Sequence, residues 1–254
     1  MAPRPLAIVS AMHEELRALL PLLATDRRLT LAKRRFHLGT MAGRPVVLVL
    51  SGIGKVAAAT TAALLLQEVE VQRIVFTGAA GGLGPGVRVG DVVIARELLQ
   101  HDMDASPLFP RHEVPLTGRS RFSTDADLSD ALALAARDAL EAERIGLDSS
   151  FAALGIDRPR VHEGLVVSGD RFVATALERA ALRTELPDAL AVEMEGAAVA
   201  QVCHDCDLPF AVLRTLSDCA DDSAHVDFGC FVAEVAGPLA AAIVRTWLRR
   251  VEPA

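Results

Sequence analysis

The sequence predicts an α/β fold in which helices cover both faces of a largely buried β-sheet. Short runs rich in β-branched residues, such as Val46–Leu50, alternate with longer Ala- and Leu-rich segments, such as Asp127–Arg144. Continuous apolar strands separated by helices are typical of a sheet that lies between two helical layers. Because no internal repeat and no low-complexity linker interrupts the 254 residues, we expect one domain over residues 1–254.

The predicted elements follow in a regular order, identified by length and by apolar pattern. Strands are expected at Leu6–Val9, Val46–Leu50, Arg73–Phe76, Val92–Ala95, Leu165–Ser168, Ala189–Val192 and Phe210–Leu213. Helices are expected at Met12–Leu23, Val56–Leu66, Asp127–Arg144, Gly196–Cys206 and Cys230–Arg249. Loops are expected at the Gly- and Pro-rich Ala80–Pro85 and at Ser106–Arg121, and a loop or short helix at Asp148–Arg160.

Composition excludes several classes of protein. The net charge of −7 and the pI of about 5.5 disfavour binding to nucleic acid, which depends on basic residues. No apolar run approaches the roughly 20 residues that span a bilayer, and the segment Met1–Ser10 lacks the apolar core of a signal peptide. We therefore expect a cytoplasmic protein with neither a nucleic acid nor a membrane partner.

Ligands of α/β sheets collect at the carboxyl ends of the strands, so the residues after each strand are the candidate site. These segments are Ala11–Glu15, Ser51–Lys55, Thr77–Gly82, Ser168–Phe172, Glu193–Gly196 and Arg214–Asp218. They contain carboxylates, glycines and a few apolar side chains. This composition is typical of a small-molecule pocket with acid–base chemistry.

Two glycine-rich segments leave alternatives open. Ser51–Lys55 does not match a triphosphate-binding loop, because Val49 and Val56 stand near the places of its Gly and Ser/Thr. The segment is either a tight strand–helix turn or a set of backbone amides that contact a ligand. Thr77–Gly86 permits close backbone approach, but its spacing does not fit the dinucleotide fingerprint.

Four acidic residues suggest chemistry. Glu193 and Glu195 end an apolar strand, so one is expected to face the pocket, where a carboxylate can accept hydrogen bonds from two ribose hydroxyls. The other would form a salt bridge or cap the next helix. Asp218 follows a strand and suits either a general acid or a turn. Glu15 opens a helix, where acids are common because of the helix dipole.

A metal site is not expected. Cys203, His204, Asp205 and Cys206, with Cys219 and His225 further on, contain one closely spaced ligand pair, whereas structural zinc sites usually have two. Small buried residues are the preferred interpretation of these cysteines.

The order of these segments resembles the 5′-methylthioadenosine/S-adenosylhomocysteine nucleosidase family from about residue 6 to residue 247. The resemblance also includes Gly90–Val93 and His101–Asp102. It implies a nucleoside phosphorylase-like three-layer sandwich with a mixed central sheet, a homodimer, and a reaction without metal or organic cofactor. The implied reaction is hydrolysis of the N-glycosidic bond of an adenine nucleoside, in nucleoside catabolism and methionine salvage.

The resemblance also implies roles for individual residues. Asp218 would protonate adenine N7, Glu15 would activate water with help from Arg214, and Glu195 would bind the ribose hydroxyls. Further substrate-binding positions would be Met12, Ile53, Ala80, Gly81, Phe172, Val173, Glu193, Met194, Ser217 and Phe228. Leu108, Phe109 and Pro115 would reach the 5′-substituent pocket of the neighbouring subunit.

The sequence departs from the family at three places. Ala79 stands where the family often has Ser, Asp104–Phe109 differs from the usual sequence, and Leu147–Pro159 resembles an insertion. These differences leave open the preference for the 5′-substituent. A futalosine-type nucleoside hydrolase, a phosphate-dependent phosphorylase and a non-catalytic nucleoside-binding protein are the alternatives. Glu14 and Glu15 argue against phosphate binding, because like charges repel.

Overall fold

Ten strands form one mixed sheet in the part of the chain that the computed structural model describes, residues 3–142, 151, 154–218 and 228–250. The strands are β1 (Leu6–Ser10), β2 (Ala24–Leu31), β3 (Arg34–Met41), β4 (Arg44–Leu50), β5 (Arg73–Gly82), β6 (Val92–Gln100), β7 (Arg121–Ser123), β8 (Val161–Ser168), β9 (Ala189–Glu193) and β10 (Phe210–Asp218). The helices are α1 (His13–Leu19), α2 (Lys55–Leu64), α3 (Ala126–Ala142), α4 (Ala176–Glu185), α5 (Gly196–Asp205), α6 (Phe228–Phe231) and α7 (Gly237–Arg250). Short 3-10 or π turns occupy Leu20–Leu22, Leu65–Val69 and Val232–Ala236.

The sheet closes on itself at one end. Its order is β10-β6-β8-β9-β5-β1-β4-β3-β2, and β10 also pairs with β5, so five strands form a ring. The pairs β5–β10, β6–β8 and β8–β9 are parallel, whereas β6–β10 and β5–β9 are antiparallel. This closure brings the ends of β9 and β10 to the same place as the ends of β1 and β5.

Helices cover both faces of the sheet, as the apolar strands predicted. In β1, Ile8 belongs to the core cluster that contains residues of α1, α3 and α7, whereas its neighbour Val9 belongs to the cluster that contains residues of α2 and α5. Successive side chains of a strand point to opposite faces, so a strand that is buried throughout contributes to both layers. The α/β sandwich with a mixed central sheet is therefore confirmed.

Several predicted strand boundaries were wrong: β6 continues to Gln100 instead of ending at Ala95, and β8 begins at Val161 instead of Leu165. β5 continues through Thr77–Gly82, where a turn and the start of a loop were expected, and β10 continues to Asp218. The two strands pair in parallel as far as Gly81 and Asp218, with a bulge after Leu216. Ladder hydrogen bonds between β5 and β10 therefore outweigh the low strand propensity of the glycines.

β2, β3, β7 and α4 were not predicted. β2 is an exposed edge strand rich in charged residues, which hides the apolar alternation. Residues 147–150, 152 and 153 of the proposed insertion lie outside the described residues, as do Cys219 and His225.

One helical segment of the described chain, Phe228–Arg250, is long and apolar enough to cross a membrane by length and composition. However, 61% of its most apolar window is buried inside the protein. Trp247 and Leu239 of this segment lie in the core against α1 and α3. The apolar side chains of the segment are thus accounted for by packing within the domain.

Candidate active site

Every residue predicted to be catalytic or substrate-binding lines one cleft at the carboxyl ends of the strands. The volume of the cleft is about 740 Å³ including its open part. The predicted residues in its lining are Met12, Glu15, Ile53, Ala80, Gly81, Phe172, Val173, Glu193, Met194, Glu195, Arg214, Ser217, Asp218 and Phe228. The sequence prediction missed Ala11, Gly78, Ala79, Arg171 and Val192 as lining residues, although all but Val192 lie in the segments singled out as candidate site.

Glu15 is held rigidly inside the cleft wall. One carboxylate oxygen accepts hydrogen bonds from the backbone N–H groups of Ala11 and Met12, both at 3.0 Å, and the other accepts from Ala79 N–H at 3.0 Å. Burial raises the pKa of Glu15, although these backbone donors and the nearby Arg214 act in the opposite direction. Glu15 is therefore a fixed carboxylate with enhanced basicity, as a general base requires.

Arg214 and Glu193 form a buried pair beside Glu15. The Arg214 guanidinium donates to Glu193 at 2.7 Å and to the carbonyls of Phe76 and Leu213 at 3.2 and 3.1 Å, and it stacks on the Phe76 ring. Gly78 lies between Arg214 and Glu15. A Cβ at this position would be 3.4 Å from the Arg214 guanidinium and 3.2 Å from the Glu15 carboxylate. The cation is thus placed by strands β5, β9 and β10 together.

The Glu193 carboxylate is bound by the protein itself. It accepts hydrogen bonds from the backbone N–H groups of Glu195 and Gly196, from the Ser168 hydroxyl and from Arg214. Glu193 therefore caps the start of α5 and neutralises Arg214. Of the two roles expected for this pair of acids, Glu193 takes the salt bridge and cap.

Glu195 takes the other role, because its carboxylate lies in the lining of the cleft. It accepts one hydrogen bond, 2.8 Å long, from the backbone N–H of Gly54. Burial and the neighbouring Glu193 and Glu15 raise the pKa of Glu195 to about 7. A buried carboxylate that can charge near neutral pH is typical of functional sites.

Asp218 is the last residue of β10 and lies in the lining of the cleft. It is buried, and its carboxylate accepts a 2.6 Å hydrogen bond from the hydroxyl of Ser217. The bulge between Leu216 and Asp218 changes the register of β10 against β5 at this point. Bulges redirect side chains, and they are frequent next to active sites.

Apolar side chains complete the cleft. Phe172 meets Phe228 edge to face, with ring centroids 5.9 Å apart. Phe172 and Ile53 remain exposed despite their size, whereas Val173 is buried. The cleft thus offers an aromatic face and apolar walls opposite a group of carboxylates.

The residues predicted for the neighbouring subunit's pocket do not line this cleft. Leu108, Phe109 and Pro115 belong to the segment between β6 and β7, and Leu108 is 83% exposed. The described residues also contain no group of three or more His, Cys, Asp and Glu side chains suited to holding a metal ion.

The chain matches the model of the phosphorylase superfamily over residues 5–249. It is 37% identical over 232 residues to the 5′-methylthioadenosine/S-adenosylhomocysteine nucleosidase of Anoxybacillus flavithermus, covering 91% of this chain and 92% of that protein. The nucleosidase of Neisseria meningitidis in complex with methylthio-immucillin-A has a TM-score of 0.85, 34% identity, and coverage of 98% and 100%. The S-adenosylhomocysteine nucleosidase of Streptococcus pyogenes in complex with 5-methylthiotubericidin has a TM-score of 0.85, 31% identity, and coverage of 100% and 99%.

Proposed function

Because the chain belongs to the phosphorylase superfamily and, within it, to the 5′-methylthioadenosine/S-adenosylhomocysteine nucleosidases, we propose that it hydrolyses the N-glycosidic bond of both nucleosides. The products are adenine and the 5′-thioribose. The observation that carries the proposal is the convergence of Glu15, Glu195 and Asp218 on one cleft with apolar walls. A site that only bound a nucleoside would not need three buried carboxylates.

Asp218 acts as the general acid in this proposal. Adenine leaves more readily when N7 accepts a proton, so a carboxyl group at the base subsite lowers the barrier to cleavage. The hydroxyl of Ser217 donates to Asp218 and fixes the orientation of its carboxyl group. Phe172 stacks on the base, and the backbone of Val173 contacts its edge.

Glu15 acts as the general base for water. Three backbone N–H groups fix its carboxylate, so little reorganisation is needed when it accepts the proton. Arg214 was predicted to orient the water, but its guanidinium is extensively bound to Glu193 and to backbone carbonyls. We propose that Arg214 and Glu193 act mainly by placing Glu15 and Glu195.

Glu195 binds the ribose hydroxyls, and Met194 packs on the ribose. The glycosidic bond breaks through an oxocarbenium-like state, whose positive charge the carboxylates stabilise. Met12, Ile53 and Phe228 form the apolar region for the ribose and the 5′-tail. At Ala80 and Gly81 the small residues allow the substrate to approach the backbone closely. Ala79 supplies a backbone donor to Glu15 but no side-chain hydroxyl.

We also propose a cytoplasmic homodimer that acts in methionine salvage as one domain over residues 1–254. Several large apolar side chains are exposed on this subunit, including Val56, Leu108, Leu116 and Leu177. Exposed apolar patches mark interaction surfaces. Leu108, Phe109 and Pro115 of the partner subunit would then close the 5′-tail region.

The test is adenine release by purified protein from methylthioadenosine, S-adenosylhomocysteine and adenosine, with futalosine in parallel, each with and without phosphate. Phosphate-independent release of adenine from the two thio-nucleosides is the expected result. Hypoxanthine release from futalosine alone would assign the cleft to a futalosine-type hydrolase, and release only with phosphate would assign it to a phosphorylase. Binding of a nucleoside without release of its base would indicate a non-catalytic nucleoside-binding protein.

A further inference from the structure

Three charged residues from separate loops form a closed ring of hydrogen bonds next to the cleft. The Lys55 ammonium donates to Asp102 at 2.6 Å, the backbone N–H of Lys55 donates to Asp170 at 2.7 Å, and the backbone N–H of Asp170 donates to Asp102 at 2.9 Å. Each residue is thus bound to both others. The ring joins the loops that follow β4, β6 and β8.

The joined loops carry two sides of the cleft. Gly54, directly before Lys55, donates its N–H to Glu195, and Ile53 lines the cleft. Phe172 and Val173 follow Asp170 by two and three residues and line the same cleft. The distance between these two loops therefore sets the distance between the proposed ribose subsite and the proposed base subsite.

The backbone at Lys55 requires partners from outside its own loop. Gly54 is the N-cap residue of α2 and has no side chain to bind the free N–H groups of the first turn. Asp170 supplies the missing acceptor, at the helix end where a negative charge is favoured. A Cβ at Gly54 would lie 3.1 Å from the Asp170 carboxylate, so the contact leaves no room for a larger residue.

The ion pair in the ring is largely shielded from water. The side chains of Lys55 and Asp102 are 16% and 31% exposed. Burial pushes the pKa of Asp102 upward, but the hydrogen bonds from Lys55 and Asp170 outweigh burial and hold this pKa below its ordinary value. Lys55 also donates to Gln100, which in turn is bound to Gln201 of α5. The pair is therefore anchored to the body of the domain.

We propose that Lys55, Asp102 and Asp170 form a positioning clasp that holds the Gly54 loop and the Phe172 loop at the separation that an adenine nucleoside requires. The clasp residues do not line the cleft, so they act through Glu195 and Phe172. This inference rests on the proposed function, since it assigns the two loops to the ribose and base subsites.

The clasp predicts a specific kinetic effect. When only a fraction of the molecules holds both loops in the binding geometry, apparent affinity falls by that fraction, whereas the bound complex reacts as before. Loss of the clasp should raise KM for methylthioadenosine by about 10-fold and leave kcat within about 2-fold. A residue needed only for folding would instead lower the amount of active protein and leave KM unchanged.

The experiment compares Lys55→Met, Asp102→Asn and the double variant with the wild type, by steady-state kinetics and by calorimetric titration with methylthio-immucillin-A, the nucleoside analogue bound by the Neisseria meningitidis nucleosidase. Lys33→Met is the matched control, because Lys33 is the other lysine of the chain and lies exposed at the β2–β3 turn. Lys55→Arg retains the cation and should keep KM within about 3-fold of the wild type. The effects of substitutions within one network are not additive. The double variant should therefore raise KM about as much as either single variant, rather than by about 100-fold.

The clasp proposal would be overturned by additive effects on KM in the double variant or by a fall of kcat at unchanged KM. Equal kinetics of Lys55→Met and Lys33→Met would also overturn it. Asp102→Asn and Lys55→Arg keep polar side chains of similar size and carry the test if Lys55→Met does not fold. Titration with the nucleoside analogue methylthio-immucillin-A separates the two proposals, because this ligand carries both a base and a sugar-like part. A wild type that binds the analogue but releases no adenine from methylthioadenosine, with about 10-fold weaker binding of the analogue in Asp102→Asn, would retain the clasp and reject hydrolysis. A wild type that does not bind the analogue would reject both.

Discussion

Glu193 and Arg214 form a salt bridge inside the protein, with Oε2 and Nη2 2.7 Å apart and side chains that are 2% and 1% exposed. Five donor groups of Arg214, Ser168 and the start of α5 form hydrogen bonds to this carboxylate, and two of these donors belong to the Arg214 guanidinium. A buried cation that loses its partner is strongly destabilising, whereas exposed pairs contribute little. The pair therefore links the stability of the fold to the placement of the catalytic carboxylates.

Glu193→Gln should lower the free energy of unfolding by about 3–5 kcal/mol and reduce kcat/KM, because Arg214 is left as an uncompensated buried charge. Glu163→Gln is the matched control, since Glu163 pairs with Arg96 and Arg137 nearer the surface, where a change below about 1 kcal/mol is expected. Denaturant unfolding measures both. Equal losses in the two variants would refute the special role of the buried pair.

Asp218→Asn should lower kcat by about 100-fold or more, because a positioned general acid contributes roughly 10²–10⁴-fold. Binding of methylthioadenosine should stay within a few-fold, since the amide retains the shape of the side chain. Adenine release and calorimetric titration check the two quantities. Asp207→Asn is the control, at an exposed residue whose positive φ suits asparagine equally. Turnover that survives Asp218→Asn would remove Asp218 from the mechanism.

Glu195→Gln should stabilise the protein at high pH while it weakens ribose binding. The pKa of Glu195 is raised from 4.5 to about 7 in the fold, so the folded state holds this proton more tightly than the unfolded state. The stability that the proton provides is complete below pH 4.5 and is lost as the pH rises to about 7. Because glutamine does not ionise, Glu195→Gln removes this loss. The free energy of unfolding of the variant should exceed that of the wild type by about 1–3 kcal/mol at pH 8.

The gain from Glu195→Gln should be several-fold smaller at pH 5, because the wild-type side chain is protonated in the fold and ionises only in the unfolded state. Unfolding curves at pH 5 and pH 8 measure the difference, with Glu68→Gln at an exposed position as control. A variant that is less stable than the wild type at pH 8 would show that the ionised Glu195 stabilises the fold. KM for methylthioadenosine should rise at both pH values.

Leu108→Asp should weaken the proposed homodimer and raise KM for methylthioadenosine, because a charge would enter an apolar contact between subunits. Light scattering over a dilution series measures the mass, and kinetics with methylthioadenosine and adenosine measures the 5′-tail contribution. Leu134→Asp, on the exposed side of α3, is the control. A wild type that is monomeric at working concentration would exclude the shared pocket.

Gly78→Ala should lower kcat/KM by about 10-fold or more, because small displacements of reacting groups are costly. The new Cβ would lie 3.2 Å from the Glu15 carboxylate and 3.4 Å from the Arg214 guanidinium, so one of them must move. Gly229→Ala is the control, since a Cβ there meets nothing within 4 Å. Wild-type kinetics in Gly78→Ala would show that the Glu15–Arg214 spacing is not critical.

The sequence by itself determined the α/β class, the central strands and the residues of the cleft. Strands such as Val46–Leu50 are apolar throughout and could be recognised from local pattern, because burial on both faces leaves no alternation. The segments after the strands could be assigned to one site because parallel strands end at the same edge of a sheet. Glu15, Glu195 and Asp218 lie in these segments, and the resemblance to the nucleosidase family implied their roles before any contact was known.

Only the tertiary structure decided which partner each of these groups has. The sequence places Glu193 and Glu195 two residues apart, but the division between a bound carboxylate and one that faces the cleft depends on Arg214 and Gly54 from other strands. The extension of β5 through its glycines depends likewise on pairing with β10. Hydrogen bonds between residues far apart in the chain leave no local pattern, and for this reason the Lys55–Asp102–Asp170 ring was visible only in the folded molecule.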